Sequence, residues 1–194
     1  MPTKPKTPQK ESPEELQTRD FFQTPAYAVD LLIPFIPKHV KYVWEPCAGG
    51  GNIVKRLQHH GYKTEGTDIQ GIYPKMNFLL DWNSNISEYY EIDSAIITNP
   101  PFSLKQKVYN RCREYGVPFA LLVPLDYSQW VCNSLWKDGA EKIIPTSRIN
   151  YITPSGKQGK ESSSQFHSGW LCWGFGLGKT ETFVELSKKD KENI

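Results

Sequence analysis

The stretch Tyr42-Val43-Trp44-Glu45-Pro46-Cys47-Ala48-Gly49-Gly50-Gly51-Asn52 decides the fold. A short apolar run ends in an acid, three glycines follow, and Ile53–His60 then reads as a helix. A strand that passes through a glycine turn into a helix opens a parallel α/β unit. The glycines let the backbone turn tightly and approach a ligand with no side chain between. A phosphate-binding loop is excluded, because Gly51 is followed by Asn52-Ile53 and not by a Lys-Ser/Thr pair. A dinucleotide fold also wants a third packing glycine, where this chain has Val54.

Outward from that turn, strand and helix patterns alternate. Pro25–Phe35 sets Ala28, Leu31, Leu32 and Phe35 at the helical period after a Thr24-Pro25 start. Helices are predicted over Leu104–Tyr115, closed by Gly116, and over Ser128–Trp136. Strands are predicted over Tyr62–Thr67, Met76–Leu80, Ser94–Thr98, Pro118–Val123, Lys142–Ile144 and Ser168–Trp173. Short strands separated by helical segments predict a mostly parallel sheet covered on both faces. No internal repeat interrupts the pattern.

The chain has 194 residues, enough for one domain with its own core and too few for two comfortable ones. Residues 1–20 are Pro, Lys and Glu with almost nothing apolar, so a disordered arm is expected there. Residues 21–178 are expected to form the single domain, and 179–194 a strand end at Thr182–Leu186 followed by a frayed tail. Lys+Arg number 23 against 21 Asp+Glu, a net charge of +2 that excludes an overall basic coat but allows a local basic patch. No apolar run reaches the ~18 residues of a membrane helix, and no apolar signal segment opens the chain. Cys47, Cys112, Cys132 and Cys172 lie too far apart for a CxxC metal pair. Reduced thiols, a cytoplasmic protein and no metal are the expectation. Thr153–Ser164 (TPSGKQGKESSS) is long and polar, a surface loop or a substrate loop with equal justification.

Ligands of open α/β sheets bind beyond the carboxyl ends of the strands. Glu45, Asp68 and Asp81 stand at the ends of the first three predicted strands. Singly, such acids are solvated or cap helices. As an ordered set around one glycine loop they repel a polyphosphate and suit a cofactor with a positive centre and an amino group. Asp68 can accept hydrogen bonds from both hydroxyls of a ribose. The strand Ser94–Thr98 runs into Asn99-Pro100-Pro101-Phe102. An exocyclic amino group on a base is a poor nucleophile, because its lone pair is delocalised into the ring. The Asn99 side-chain oxygen and the Pro100 carbonyl can each accept one of its N–H groups and draw the nitrogen towards tetrahedral geometry. Pro101 adds a second fixed φ and stiffens the turn, and Phe102 offers a face for a base removed from its helix.

These residues resemble the S-adenosylmethionine-dependent amino-group methyltransferases, especially the N6-adenine enzymes that act on nucleic acids. Asn99-Pro100-Pro101-Phe102 matches the catalytic [DNS]PP[YFW] motif of that family. Glu45, Pro46, Cys47, Ala48, Gly49 and Gly51 match its cofactor loop, with Cys47 in place of the usual aromatic. Asp68 matches the ribose acid and Ile69 the residue packed on the adenine ring. Asp81-Trp82 resembles the pair that contacts the cofactor's adenine. Phe22-Gln23-Thr24-Pro25 resembles the N-terminal segment around the methionine end, in the motif order of the γ group. The resemblance implies a Rossmann-like class I fold with sheet order 3-2-1-4-5-7-6, Lys142–Ile144 and Ser168–Trp173 being its final pair. It implies S-adenosylmethionine as cofactor and methyl transfer to the N6 amino group of adenine, in DNA ahead of RNA. Small enzymes of this kind are typical of viruses and mobile elements.

Too little chain follows Val123 for a target-recognition domain, so sequence reading is expected to be relaxed, done by loops, or supplied by a partner protein. Substrate contacts are expected from Phe102, Lys105, Arg148, Tyr151 and Phe166, with Phe166 or Tyr151 clamping a base opposite Phe102. Lys105, Lys107, Arg111 and Arg113 either meet phosphates or form a solvated helix face. RNA adenine, a protein glutamine side chain, and a catalytically silent binding subunit are the alternatives.

Overall fold

A computed structural model describes residues 22–83, 93–153, 156 and 166–192. The predicted arm at 1–20 and most of the polar stretch 153–164 fall outside them. Among the described residues, seven strands form one sheet: β1 (Tyr42–Glu45), β2 (Lys63–Gly66), β3 (Ser94–Thr98), β4 (Phe119–Pro124), β5 (Glu141–Pro145), β6 (Ser168–Trp173) and β7 (Glu181–Val184). Their order is β2-β1-β3-β4-β6-β5-β7. Only β6 runs antiparallel to its neighbours, inserted between β4 and β5. This is the Rossmann-like, mostly parallel α/β architecture that the sequence predicts.

Every residue of β1 and β3 is buried, which is why YVWE and SAIIT lack the alternation of a one-sided strand. Each face of the sheet carries its own core. Val43, Ile97 and Trp170 pack on one side with Leu32 and Val29 of the N-terminal helical segment and with Ile53 and Leu57. Trp44, Ile96, Phe119 and Leu171 pack on the other with Tyr109 and Cys112. The helices that supply these layers are α1 (Ala26–Asp30), α2 (Asn52–His59), α3 (Lys105–Tyr115) and α4 (Gln129–Lys137), with α5 (Lys188–Glu192) after the sheet. The helix predicted over Pro25–Phe35 stops at Asp30 and resumes as a single 3-10 turn, Ile33–Phe35, because Pro34 has no N–H to continue an α-helix. Gly116 ends α3 in the left-handed conformation, φ 71°.

One expected strand fails at a sheet edge. Met76–Leu80 is not a strand. Asn77 closes a tight turn there: its side-chain oxygen accepts the Leu79 N–H at 3.1 Å, and its own N–H donates to Asp81 Oδ2 at 2.6 Å. Asn and Asp side chains that satisfy local backbone compete with a sheet ladder. Phe78 is still buried, stacked beside Tyr115 and edge-on to Trp44. The missing edge strand is made up at the opposite edge. The strand expected at Thr182–Leu186 forms β7, which pairs in parallel with β5 from Glu181 to Val184, and the expected frayed tail instead holds α5. The sheet therefore has seven strands without a strand at 76–80.

Candidate active site

The strand order reverses between β1 and β3, because the chain runs from β1 out to β2 and returns on the other side of β1. Beyond the carboxyl ends of β1, β2 and β3 lies a cavity of about 420 Å³. Ten residues singled out from the sequence line it: Phe22, Thr24, Glu45, Cys47, Ala48, Gly49, Asp68, Ile69, Asn99 and Pro101.

Glu45 ends β1 and is 2% exposed. Its Oε2 accepts the Val54 N–H of α2 at 3.1 Å. Burial raises its carboxyl well above the usual range, the Val54 N–H opposes the shift, and the Asp68 charge adds to it. Asp68, just past β2, accepts the Gly49 N–H on Oδ2 and the Gln70 N–H on Oδ1, each at 2.8 Å. It thereby ties the glycine loop to the loop after β2, and each oxygen keeps a second lone pair for a ligand hydroxyl. Burial pushes the half-buried Cys47 thiol up to about 12, so it stays protonated and is a weak nucleophile beside any methyl donor. Ile69, 59% exposed, presents an apolar side chain at the cavity wall.

The segment Phe22–Pro25 is bound across the cavity by four elements. The Gln23 side-chain oxygen accepts the Gly50 N–H at 2.9 Å, and Asn52 Nδ2 donates to the Thr24 carbonyl at 3.0 Å. Gln23 and Ile152 exchange backbone hydrogen bonds of 2.9 and 3.0 Å. Asn99 Nδ2 donates to the Phe22 carbonyl at 3.2 Å. A Cβ on Gly50 would stand 2.9 Å from the Gln23 side-chain oxygen, so the glycine run leaves room for this amide as well as for a ligand. Behind the segment, Arg56 of α2 forks onto both carboxylate oxygens of Asp30 at 2.6 and 2.7 Å, fastening α1 to α2.

Asn99 follows β3 directly. With its nitrogen held by Phe22, its Oδ1 is buried and has no partner among the described residues. A buried acceptor without a donor is costly, and such atoms in native proteins are met by a ligand, an ordered water or a functional partner. Pro101 leads into a 3-10 turn, Phe102–Leu104, and Leu104 also lines the cavity. Phe102 stands edge-on to Phe166 at 5.3 Å and to Tyr151 at 5.9 Å between ring centroids.

Several expected contacts are placed elsewhere. Tyr151 is 0% exposed and supports Phe102 from within the core, so it cannot clamp a base. Asp81 and Trp82 do not line the cavity. Asp81 belongs to the Asn77 turn, and Trp82 stacks on Tyr115 at 4.2 Å, because Arg111 holds this segment by donating to the Phe78 and Asp81 carbonyls. Lys105 is part-buried and paired with Asp126. The Arg113 guanidinium lies 4.0 Å from the Trp173 ring centroid. Arg148 is exposed and outside the cavity lining. Pro25, Pro46 and Pro100 are buried as backbone supports. Gly51 turns the chain into α2 at φ 78°.

Sequence reasoning missed Gln23, Asn52, Ile53, Gln70, Gly71 and Leu104 as cavity residues. Gln23 lies inside the quoted Phe22–Pro25 motif, and its amide was the available signal. Tyr73 gave no signal: its ring fills the space over Gly51 and Gly66, with ring carbons 2.8 Å from where a Cβ of either would stand. Gly51→Ala is therefore expected to lose about 1–3 kcal/mol of stability from left-handed strain and collision with Tyr73, read as a lower denaturant midpoint. An unchanged midpoint would show that Tyr73 moves aside freely and that the loop is not held by it.

Glu45 also sets a pH dependence. A carboxyl whose folded value is raised stabilises the fold fully below its unfolded value, and the contribution is lost as pH rises through the folded one. The free protein is thus expected to lose stability as pH climbs out of the ordinary carboxylate range, and Glu45→Gln to flatten that slope in thermal unfolding. Parallel profiles for the two proteins would assign the slope to another group.

No protein-family model matches the chain, and no curated protein matches it. Among solved structures, it resembles the modification subunit ascribed to a type I restriction enzyme of Vibrio vulnificus, with TM-score 0.52 and 10% identity over 88% of this chain and 51% of that one. The chain thus spans about half the length of that subunit. It also matches, at TM-score 0.42 and 10% identity over 78% of each chain, the glycopeptide N-methyltransferase MtfA complexed with S-adenosyl-L-methionine. A protein studied for conversion of a disulfide bond into a thioacetal group during echinomycin biosynthesis matches at TM-score 0.46 and 11% identity, over 84% of each chain. The first of these likenesses establishes a shared fold.

Proposed function

We propose that this chain is an S-adenosylmethionine-dependent methyltransferase acting on the exocyclic N6 amino group of adenine in nucleic acid, DNA ahead of RNA. The observation that carries the reading is Asn99 Oδ1, a buried acceptor without a partner among the described residues, beside an acid-lined cavity. The lining suits this cofactor. Asp68 has lone pairs for ribose hydroxyls and a charge that favours a ligand bearing an ammonium and a sulfonium, and Ile69 offers an apolar surface to an adenine ring. A cavity of about 420 Å³ falls in the range of small-ligand sites. The cofactor supplies an electrophilic methyl on a positive sulfur.

The chain's own work is to bind and orient. Asn99 Oδ1 and the Pro100 carbonyl accept the two N–H groups of the target amine and free its lone pair for in-line attack. The Phe22 carbonyl holds the Asn99 amide so that Oδ1, not Nδ2, meets the amine. Phe102, backed by Tyr151 and Phe166, offers the ring surface for an extruded base. No general base is required, since the proton becomes acidic only as the N–C bond forms.

Relaxed sequence recognition belongs to the same reading. Of the cations after the catalytic motif, Lys105, Arg111 and Arg113 are engaged within the protein. Contacts beyond the target base then fall to other segments or to a partner protein. The test is incubation with methyl-tritiated S-adenosylmethionine and separate pools of double-stranded DNA, single-stranded DNA, RNA and protein, followed by digestion. Label in N6-methyladenine supports the reading and names the polymer. Label in glutamine, or none in any pool with cofactor bound, rejects it.

A further inference from the structure

Lys105 is the first residue of α3 and directly follows the turn Phe102–Leu104. A cation is unfavourable at a helix N-terminus, whose dipole favours negative charge. The first turn of α3 holds no acid, and no side chain caps it. The compensating carboxylate comes from a distant part of the chain. Asp126, in the loop between β4 and α4, receives Lys105 Nζ on Oδ2. Its other oxygen accepts the Ser128 N–H at 3.0 Å and the Ser128 hydroxyl at 2.7 Å, which fixes the plane of the carboxylate.

The backbone of Asp126 is held too. Its carbonyl accepts Lys142 Nζ at 3.1 Å. Lys142 sits on β5, is 2% exposed, lies 3.6 Å from the Tyr127 ring centroid and is 3.6 Å from Glu181 of β7. The anchor for the end of the catalytic turn is thus built into the far half of the sheet, including the edge strand β7.

We propose that Asp126 is a positioning residue of the catalytic turn. Through Lys105 it fixes the start of α3, and with it the turn Phe102–Leu104, whose Leu104 lines the cavity. Lys105 is then a strut and not a phosphate contact. The proposal rests on the reading of Asn99-Pro100-Pro101-Phe102 as the catalytic turn, and its test separates the two.

Asp126→Asn, Lys105→Met, the double variant and Lys105→Arg are prepared in the full chain. Each of the first two is expected to lower kcat on labelled DNA tenfold to a hundredfold, on the order expected for a misplaced turn, with cofactor affinity by calorimetry unchanged. The double variant is expected to be no worse than the poorer single one, and Lys105→Arg to retain most of kcat. The salt dependence of DNA binding should stay the same in all of them. A phosphate contact behaves differently: Lys105→Met would cut the slope of log K against log salt by about one, and Asp126→Asn would tighten DNA binding. Either result overturns the proposal, as does cofactor affinity falling in step with kcat. Hydrogen exchange at the amides of Ser103, Leu104 and the first turn of α3 gives a readout independent of activity. Faster exchange there, with β1 and β3 unchanged, is expected in both single variants, and unchanged exchange overturns the proposal even if the wild-type protein methylates no nucleic acid.

Discussion

Asn99→Ala is expected to lower methyl transfer by about two to three orders of magnitude, the usual cost of removing a preorganised polar group aimed at a reacting centre. The substitution removes the buried Oδ1 that has no other partner among the described residues. It also removes the donor to the Phe22 carbonyl, a single 3.2 Å hydrogen bond of a segment that keeps its links through Gln23 and Asn52. Cofactor affinity should therefore fall by only about 0.5–1.5 kcal/mol, the net worth of one neutral hydrogen bond. Single-turnover transfer and calorimetry on the same preparation separate the two effects. Asn99→Asp sharpens the result, because it keeps an acceptor and loses the donor to Phe22. Near-normal turnover in Asn99→Ala would remove Asn99 from the chemistry.

The legible part of this molecule is the part where local chemistry and global position agree. The apolar middles of β1, β3 and β4, the glycine run before α2 and the Asn-Pro-Pro-Phe turn after β3 all read correctly, because each is specified by a few adjacent residues. Met76–Leu80 was misread because its apolar pattern suits a strand equally well. The deciding groups are the Asn77 and Asp81 side chains, which close a turn, and Arg111, which reaches it from α3. The placement of β7 was hidden for another reason. An edge strand half-exposed on the surface has a weak apolar signal, and its pairing with β5 depends on a crossover that no local pattern encodes. At the site, the lysine nearest the motif suggested a phosphate contact, and only the fold brings Asp126 to it. Charge type was readable; charge pairing across 21 positions was not.

Asp68 ties the glycine loop to the loop after β2, and on the proposed function it also binds the cofactor ribose; its removal separates the two roles. Its carboxylate accepts the Gly49 and Gln70 N–H groups, so it shapes the cavity wall before any ligand arrives. The Gly71 turn that follows comes close to the Gly49 carbonyl, an approach that this carboxylate holds from both sides. In Asp68→Ala, two backbone donors lose a charged partner and, on the proposed function, the ribose hydroxyls lose their acceptor. Hydrogen bonds to charged groups contribute roughly 1.5–3 kcal/mol each, so cofactor affinity is expected to fall by a factor on the order of a hundred or more. Asp68→Asn keeps one acceptor oxygen and is expected to fall between the wild type and alanine. The two roles separate in thermal unfolding without ligand: loss of the loop tie lowers Tm in the free protein, whereas loss of the ribose contact acts only when cofactor is present. An alanine variant with lowered Tm but full cofactor affinity would confine Asp68 to holding the loop, and the ribose would have to be bound elsewhere along the cavity.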